Sequence, residues 1–343
     1  MTSVSSTLLA SPGSRLLLLL MALLAVYNRA AVAQQSPARA SSPTQKTSSS
    51  TGSAPAGTDQ HALELAKAGR CREAVPLLKR STSQSTDKDF KRAGGLAGLR
   101  CAMVTTQFDA AQDFLRRLVR EFPSDPEVLY AEVHTYSDLA TRSSQELATR
   151  APDSAQAHEL NAESLEMQGK WEQAQEEYEK VLHQDPNMPG IHFKVGRLLL
   201  SEPKSPADVA EQAKKQFEEE LKIDPSNAGA EYVLGELGRQ AQDSDAAIQH
   251  FTRATKLDAN FSDAFLGLGM AFIAAKKFPD AVPALEAAVR LEPQNPAAHY
   301  NLGLAYTRVG RKEEADRQFA IHREMVAKSE ERENAKPRMR TPQ

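Results

Sequence analysis

Between about residue 60 and residue 329, apolar side chains recur at i, i+3, i+4 and i+7, the stripe of a helix with one buried face. In 296–309 the stripe is Leu302, Ala305, Tyr306 and Val309, and Gly310 then supplies a residue free to take positive φ and close the helix. A second stripe follows over Lys312–Met325 with Ala315, Phe319 and His322 on one face. This two-helix pattern repeats. Leu234-Gly235, Leu268-Gly269 and Leu302-Gly303 stand 34 residues apart, as do Ala247, Ala281 and Ala315, and Phe251, Leu285 and Phe319. Prolines at 152, 186, 225 and 293 follow the second helix, where a missing N–H stops it, and Ala259 fills the column between the last two. The small residues in these columns predict places where two helix backbones approach closely. The expected class is all-α, with no sheet.

These columns resemble the motif of the tetratricopeptide repeat family. That motif has a Leu-Gly pair and an aromatic in the first helix, then A-x3-F and a Pro in the second. Here it reads Leu302-Gly303, Tyr306, Ala315 and Phe319. Units 228–261, 262–295 and 296–329 keep the period without gaps. Unit 155–188 carries Leu165, Gly169, Ala174, Tyr178 and Pro186, with Asn161-Ala162 replacing Leu-Gly. Unit 189–227 carries Val195-Gly196, Ala213, Phe217 and Pro225 but is 39 residues from proline to proline. Its five extra residues fall around 201–209, where Ser205-Pro206 reads as an N-cap followed by a first-position proline. Over 59–154 the repeats are degenerate. Phe108-Asp109-Ala110-Ala111, Leu115 and Pro123 mark a second helix, Gly69–Ala74 mirrors Gly310–Ala315, and Pro123 to Pro152 is only 29. The reading is eight helical pairs over 59–329. The resemblance implies a right-handed α-solenoid of stacked antiparallel helix pairs whose first helices line a concave side. One pair cannot bury its own apolar face and needs neighbours.

The two ends read differently. Arg15, the uncharged run 16–27 and Ala31-Val32-Ala33 form the n-region, h-region and small-x-small site of a secretory signal peptide over 1–33, with cleavage expected after Ala33. The run is too short to cross a bilayer, so stable membrane insertion after cleavage is not expected. The alternative is an anchor formed by an uncleaved N-terminal segment. Residues 34–58 are rich in Ser, Thr, Pro and Ala and cannot bury enough surface to offset their ordering entropy, so they read as a disordered linker. Residues 330–343 read as a polar tail.

Net charge is −3, with 42 basic and 45 acidic side chains. That excludes nucleic acid as the main partner, which would need a basic face. No G-x-S-x-G, P-loop or paired-histidine zinc motif is present, and Gly267-Leu268-Gly269 belongs to the repeat. His158, His192 and His299 occupy a packing column, and Glu218-Glu219-Glu220 reads as a solvated face. No metal, cofactor or catalytic residue is expected, and the chain is read as a non-enzyme.

By the family resemblance, the second, fifth, ninth and twelfth positions of each first helix face the groove. The residues nominated at or near those positions to bind a protein or peptide partner are Phe193, Arg197, Tyr232, Glu236, Arg239, Leu266, Met270, Tyr300, Asn301 and Arg308. Exposed aromatic and aliphatic side chains flanked by Arg and Glu suit a peptide-binding surface. Only Asn301 resembles a carboxylate-clamp residue, so capture of a free C-terminus is not expected. Cys71 opens a second helix and Cys101 lies late in the next first helix; in an oxidising compartment they are expected to form a disulfide. The function expected is a scaffold or adaptor in the periplasm or outside the cell. A regulatory or chaperone-like subunit acting through loops such as 201–209 is the alternative, and an unrecognised hydrolase a remote one.

Overall fold

The computed structural model describes residues 56–203 and 208–335. The N-terminal leader, most of the expected linker and the end of the tail lie outside them, as does Ser205-Pro206. Helices run in the order α1 (Ala56–Lys67), α2 (Cys71–Gln84), α3 (Lys88–Val104), α4 (Phe108–Glu121), α5 (Pro126–Arg150), α6 (Ala155–Met167) and α7 (Trp171–Gln184). They continue as α8 (Ile191–Ser201), α9 (Val209–Ile223), α10 (Ala228–Gln240), α11 (Ser244–Leu257), α12 (Ser262–Ala274), α13 (Phe278–Leu291), α14 (Pro296–Arg308) and α15 (Lys312–Ala335). There is no strand among the described residues. The helices fall into an N-terminal unit, α1–α5, and a C-terminal unit, α6–α15, divided after Asp153.

In the C-terminal unit the helices pair as α6/α7, α8/α9, α10/α11, α12/α13 and α14/α15, and each pair packs on the next. Local chemistry sets the ends. Asn295 accepts the N–H groups of Ala297 and Ala298, and Pro296 occupies the first turn, where no donor is needed. Helices α7, α9 and α13 each stop two residues before Pro186, Pro225 and Pro293. In every pair of this unit except α8/α9, the chain turns between first and second helix through three residues, one of which is left-handed: Gly169, Gln242, Lys276 and Gly310 have φ between 60° and 82°. α9 begins at Val209, with Asp208 before it. α15 runs to Ala335, into the stretch expected to be tail, and α1 begins at Ala56, inside the expected linker.

The repeat columns are packing. Ala174, Ala213 and Ala247 are completely buried, as are Tyr178, Phe217, Phe251 and Leu285. The glycines serve a contact other than backbone on backbone. A Cβ on Gly235 would come within 2.7 Å of the Phe251 ring, one on Gly269 within 2.4 Å of Leu285, and one on Gly303 within 2.8 Å of Phe319. The second helix thus seats a large side chain in the notch left by a glycine of the first. In the N-terminal unit Phe114 of α4 sits on Gly98 of α3 in the same way.

Glu220 departs from the expected solvated face. It is fully buried, and its carboxylate accepts the N–H groups of Gly190 at 2.8 Å and Phe193 at 3.2 Å. α8 has Gly190, at φ +87°, as its N-cap with no side-chain oxygen of its own. An acidic residue from α9 therefore caps it and complements its dipole.

The N-terminal unit corrects the count of eight pairs. It has two pairs, α1/α2 and α3/α4, and then a single helix, α5, of 25 residues. A regular repeat spends a helix of 13, a three-residue turn and a helix of 14 over the same stretch. The short 29-residue proline spacing is thus the loss of the turn. With no left-handed residue between Pro126 and Arg150, the two halves run on as one helix. A disulfide joins Cys71, at the start of α2, to Cys101, near the end of α3.

Candidate interaction surface on the first helices

In the C-terminal unit the first helices touch their successors, α10 with α12 and α12 with α14. Their shared face carries three aligned columns. The fifth positions are Glu159, Phe193, Tyr232, Leu266 and Tyr300; the ninth, Glu163, Arg197, Glu236, Met270 and Leu304; the twelfth, Glu166, Leu200, Arg239, Ile273 and Thr307.

The early half of this face is charged and neutralises itself. Lys194, buried on α8, bonds both Glu159 and Glu163 of α6 at 2.5 Å. Arg197 binds Glu166 and Arg239 binds Glu236, which is itself buried. Each buried charge thus has a partner, and the ties across α6 and α8 fix how those two helices meet. The Glu236 hydrogen bond and charge, against desolvation, hold the Arg239 guanidinium above its ordinary value.

The late half is apolar and open. Tyr300 is 48% exposed, Leu266, Met270, Ile273 and Leu304 are half-buried, and Arg308 is exposed with its guanidinium 5.6 Å from the centre of the Phe278 ring. Asn301 gives its amide to its own helix, at Ala297 O. Two nominated rings are core instead. Phe193 packs edge-on to Phe217 at 5.5 Å and against Gly229 of the next pair. Tyr232 lies between Phe251 and Phe261, 5.8 Å and 4.9 Å away. Both are below 10% exposed, because the following repeat offers a glycine or a ring at that level and the side chain turns inward. Ile273 and Leu304 are the surface residues that the nominated set lacked; the ninth and twelfth columns carry them.

The histidines tie helices together. Nδ1 of His158 meets Glu177 at 2.7 Å, that of His192 meets Gln216 at 2.7 Å, and that of His299 meets Gln318 at 2.6 Å. In α10/α11 the roles are exchanged, with Glu231 on the first helix and His250 on the second. Burial pushes the Glu177 carboxyl up, but bonds from Lys180, His158 and Asn161 outweigh it and hold it below the usual range. Burial pushes the Tyr306 hydroxyl, bonded to Glu286, up to about 12, and burial raises Tyr178 and Tyr232 further. All the displaced groups move away from neutrality, opposite to the tuning that acid–base chemistry uses. Among the described residues no cluster of three His, Cys, Asp or Glu could hold a metal, and no helix is long and apolar enough to cross a membrane.

A tetratricopeptide repeat model matches residues 138–189, 210–261 and 266–319. These stretches are repeats of the tetratricopeptide family. Its members are in general non-enzymatic protein-interaction modules, and the fold supports a protein–protein interaction scaffold here. Among solved structures the tetratricopeptide chain is similar to MamA, at 25% identity over 50% of this chain and 96% of that one, with a TM-score of 0.45. A MamA fragment from Desulfovibrio magneticus RS-1 is 19% identical over 51% and 96%, with a TM-score of 0.45. YrrB, described as a TPR protein with an unusual peptide-binding site, is 20% identical over 53% and 91%, with a TM-score of 0.46. No curated protein matches this tetratricopeptide chain.

Proposed function

We propose that the protein is an exported scaffold that holds a partner polypeptide on the face formed by α10, α12 and α14. The observation that carries this reading is the open apolar half of that face, Leu266, Met270, Ile273, Tyr300 and Leu304, beside the exposed Arg308. Aromatic and Met anchors next to Arg are what protein interfaces enrich, and a rim of charge keeps such a patch soluble. The charged half has spent its ion pairs within the array, so the apolar half supplies the binding energy. Export is supported by the leader-like run before Ala33 and by the Cys71–Cys101 disulfide, which persists in oxidising compartments.

The test is capture from envelope extract by the tagged protein and by a Met270→Ala, Tyr300→Ala double variant of unchanged helical content. Loss of two anchors predicts a fall in captured partner of about tenfold or more. Equal capture would overturn the surface assignment. Fractionation of the tagged full chain tests export separately: cofractionation with cytoplasmic markers would remove the compartment without touching the surface.

A further inference from the structure

α5 carries a face that no other first helix leaves bare. Asp125 and Pro126 open it as Asn295 and Pro296 open α14, which places Leu129, Val133 and Tyr136 in the columns of His299, Gly303 and Tyr306. In α14 those residues are covered by the returning second helix, and His299 and Tyr306 are buried. In α5 the helix does not return, and Leu129, Val133 and Tyr136 are 43%, 66% and 56% exposed.

The second half of α5 has the converse feature. Counted back one period from Ala174, Tyr178 and Val181, Ala140, Ser144 and Leu147 stand in the columns a second helix turns toward its first. Because the turn is gone, both sets lie on one stripe of one straight helix. The positions 129, 133, 136, 140, 144 and 147 are spaced 4, 3, 4, 4 and 3, one continuous stripe at the 3.6-residue period of a straight helix.

The sizes along that stripe are reversed in pairs. In α8/α9, α10/α11 and α14/α15 a glycine of the first helix receives a ring of the second; here Val133 fills the glycine column and Ser144 the ring column. A bulky residue where the notch was requires a small one opposite, and the only such complement described lies 11 residues along the same helix. A helix cannot fold back on itself, but a second copy running antiparallel can. It would set Val133 on Ser144, Tyr136 beside Ala140 and Leu129 beside Leu147, twice over by symmetry.

We propose that α5 is a homodimer interface, each copy supplying residues 140–150 as the second helix that the other's residues 126–139 lack. This is a swapped repeat, the outcome expected when a hinge loop is removed. Leu129, Val133 and Tyr136 together expose on the order of 300 Å², the size at which an apolar patch on a monomer is often functional. A 25-residue helix is about 37 Å long, enough for two such patches to approach the roughly 800 Å² per partner of a standard interface.

Sedimentation of the purified full chain over a micromolar concentration series tests this. The expected result is a concentration-dependent dimer, weakened about 100-fold by Val133→Glu, which buries an unpaired charge in the seam. Val133 is exposed in the single chain, so its fold should survive. A second variant, Val133→Cys with Ser144→Cys, reads the register. The two sites are about 16 Å apart on one helix, so oxidation can join them only between copies and should give a covalent dimer. A chain that stays monomeric overturns the proposal and leaves the face to another protein's helix. So does a dimer indifferent to Val133→Glu, or one that fails to cross-link at 133 and 144.

Discussion

α14/α15 and α5 begin with equivalent caps, Asn295 and Asp125, each followed by a proline, yet one becomes a hairpin and the other a rod. The difference is five residues and one backbone angle. In the hairpin Gly310, at φ +82°, reverses the chain so that Phe319 can seat on Gly303. In the rod the turn is missing, the glycine column holds Val133, and of 25 residues only Val128 and Thr135 are buried. The pair of helices, not the single helix, is what buries apolar surface in this fold, and the turn decides whether a pair exists.

Removing a seated ring breaks a regular pair most severely. Phe251 is fully buried and serves two notches, those of Gly235 and Gly267. Phe251→Ala should cost about 3–5 kcal/mol, read in urea through Trp171, the single tryptophan and a member of the same unit. A loss below about 1 kcal/mol would mean that the notch is not where the pair gains its stability.

The N-terminal unit has fewer such contacts and one covalent tie. The 30-residue separation of Cys71 and Cys101 gives a chain-entropy contribution of about 3–4 kcal/mol. Replacing both by serine should lower the midpoint of a calorimetric or circular-dichroism transition of α1–α5 and leave the Trp171 transition in place. A shift of both transitions together would contradict the division into two units.

The smallest effect separates turn from rod by its sign. Thr106 and Lys276 hold φ of 59° and 60°, which glycine adopts without strain. Thr106→Gly and Lys276→Gly should each raise stability by about 0.5–1 kcal/mol. The same change at Thr141, inside α5, should lower it by about 1 kcal/mol, the helix penalty of glycine. Thermal melts of the three variants check this, and a gain at Thr141 would indicate a turn within α5.

The period of 34 and the prolines made the helices of the C-terminal unit legible, because stacked repeats impose their spacing on every packed column. The 29-residue gap was visible too, but spacing alone does not say whether helices shorten or a turn disappears. One signal distinguishes these cases: Val133 in the glycine column. Absence of glycine from 126–150 does not, since Gln242 and Lys276 make the same turn elsewhere. The binding surface was less legible. Column position put Phe193 and Tyr232 on the surface, but their burial depends on Gly229 at the start of the next repeat and on Phe261, the N-cap of α12, contacts that one column does not reveal. Glu220 was hidden for a similar reason, since its partners are N–H groups of another helix.

The most direct test of the account is alanine at one column in its two settings, Gly269 in α12 and Val133 in α5, with thermal unfolding followed at low protein concentration. Gly269→Ala drives a methyl into Leu285 and should destabilise by about 1–3 kcal/mol, whereas Val133→Ala, at an exposed site, should change stability by less than about 0.5 kcal/mol. Equal costs at the two positions, or no cost at Gly269, would contradict the claim that the returning helix is what makes the column glycine.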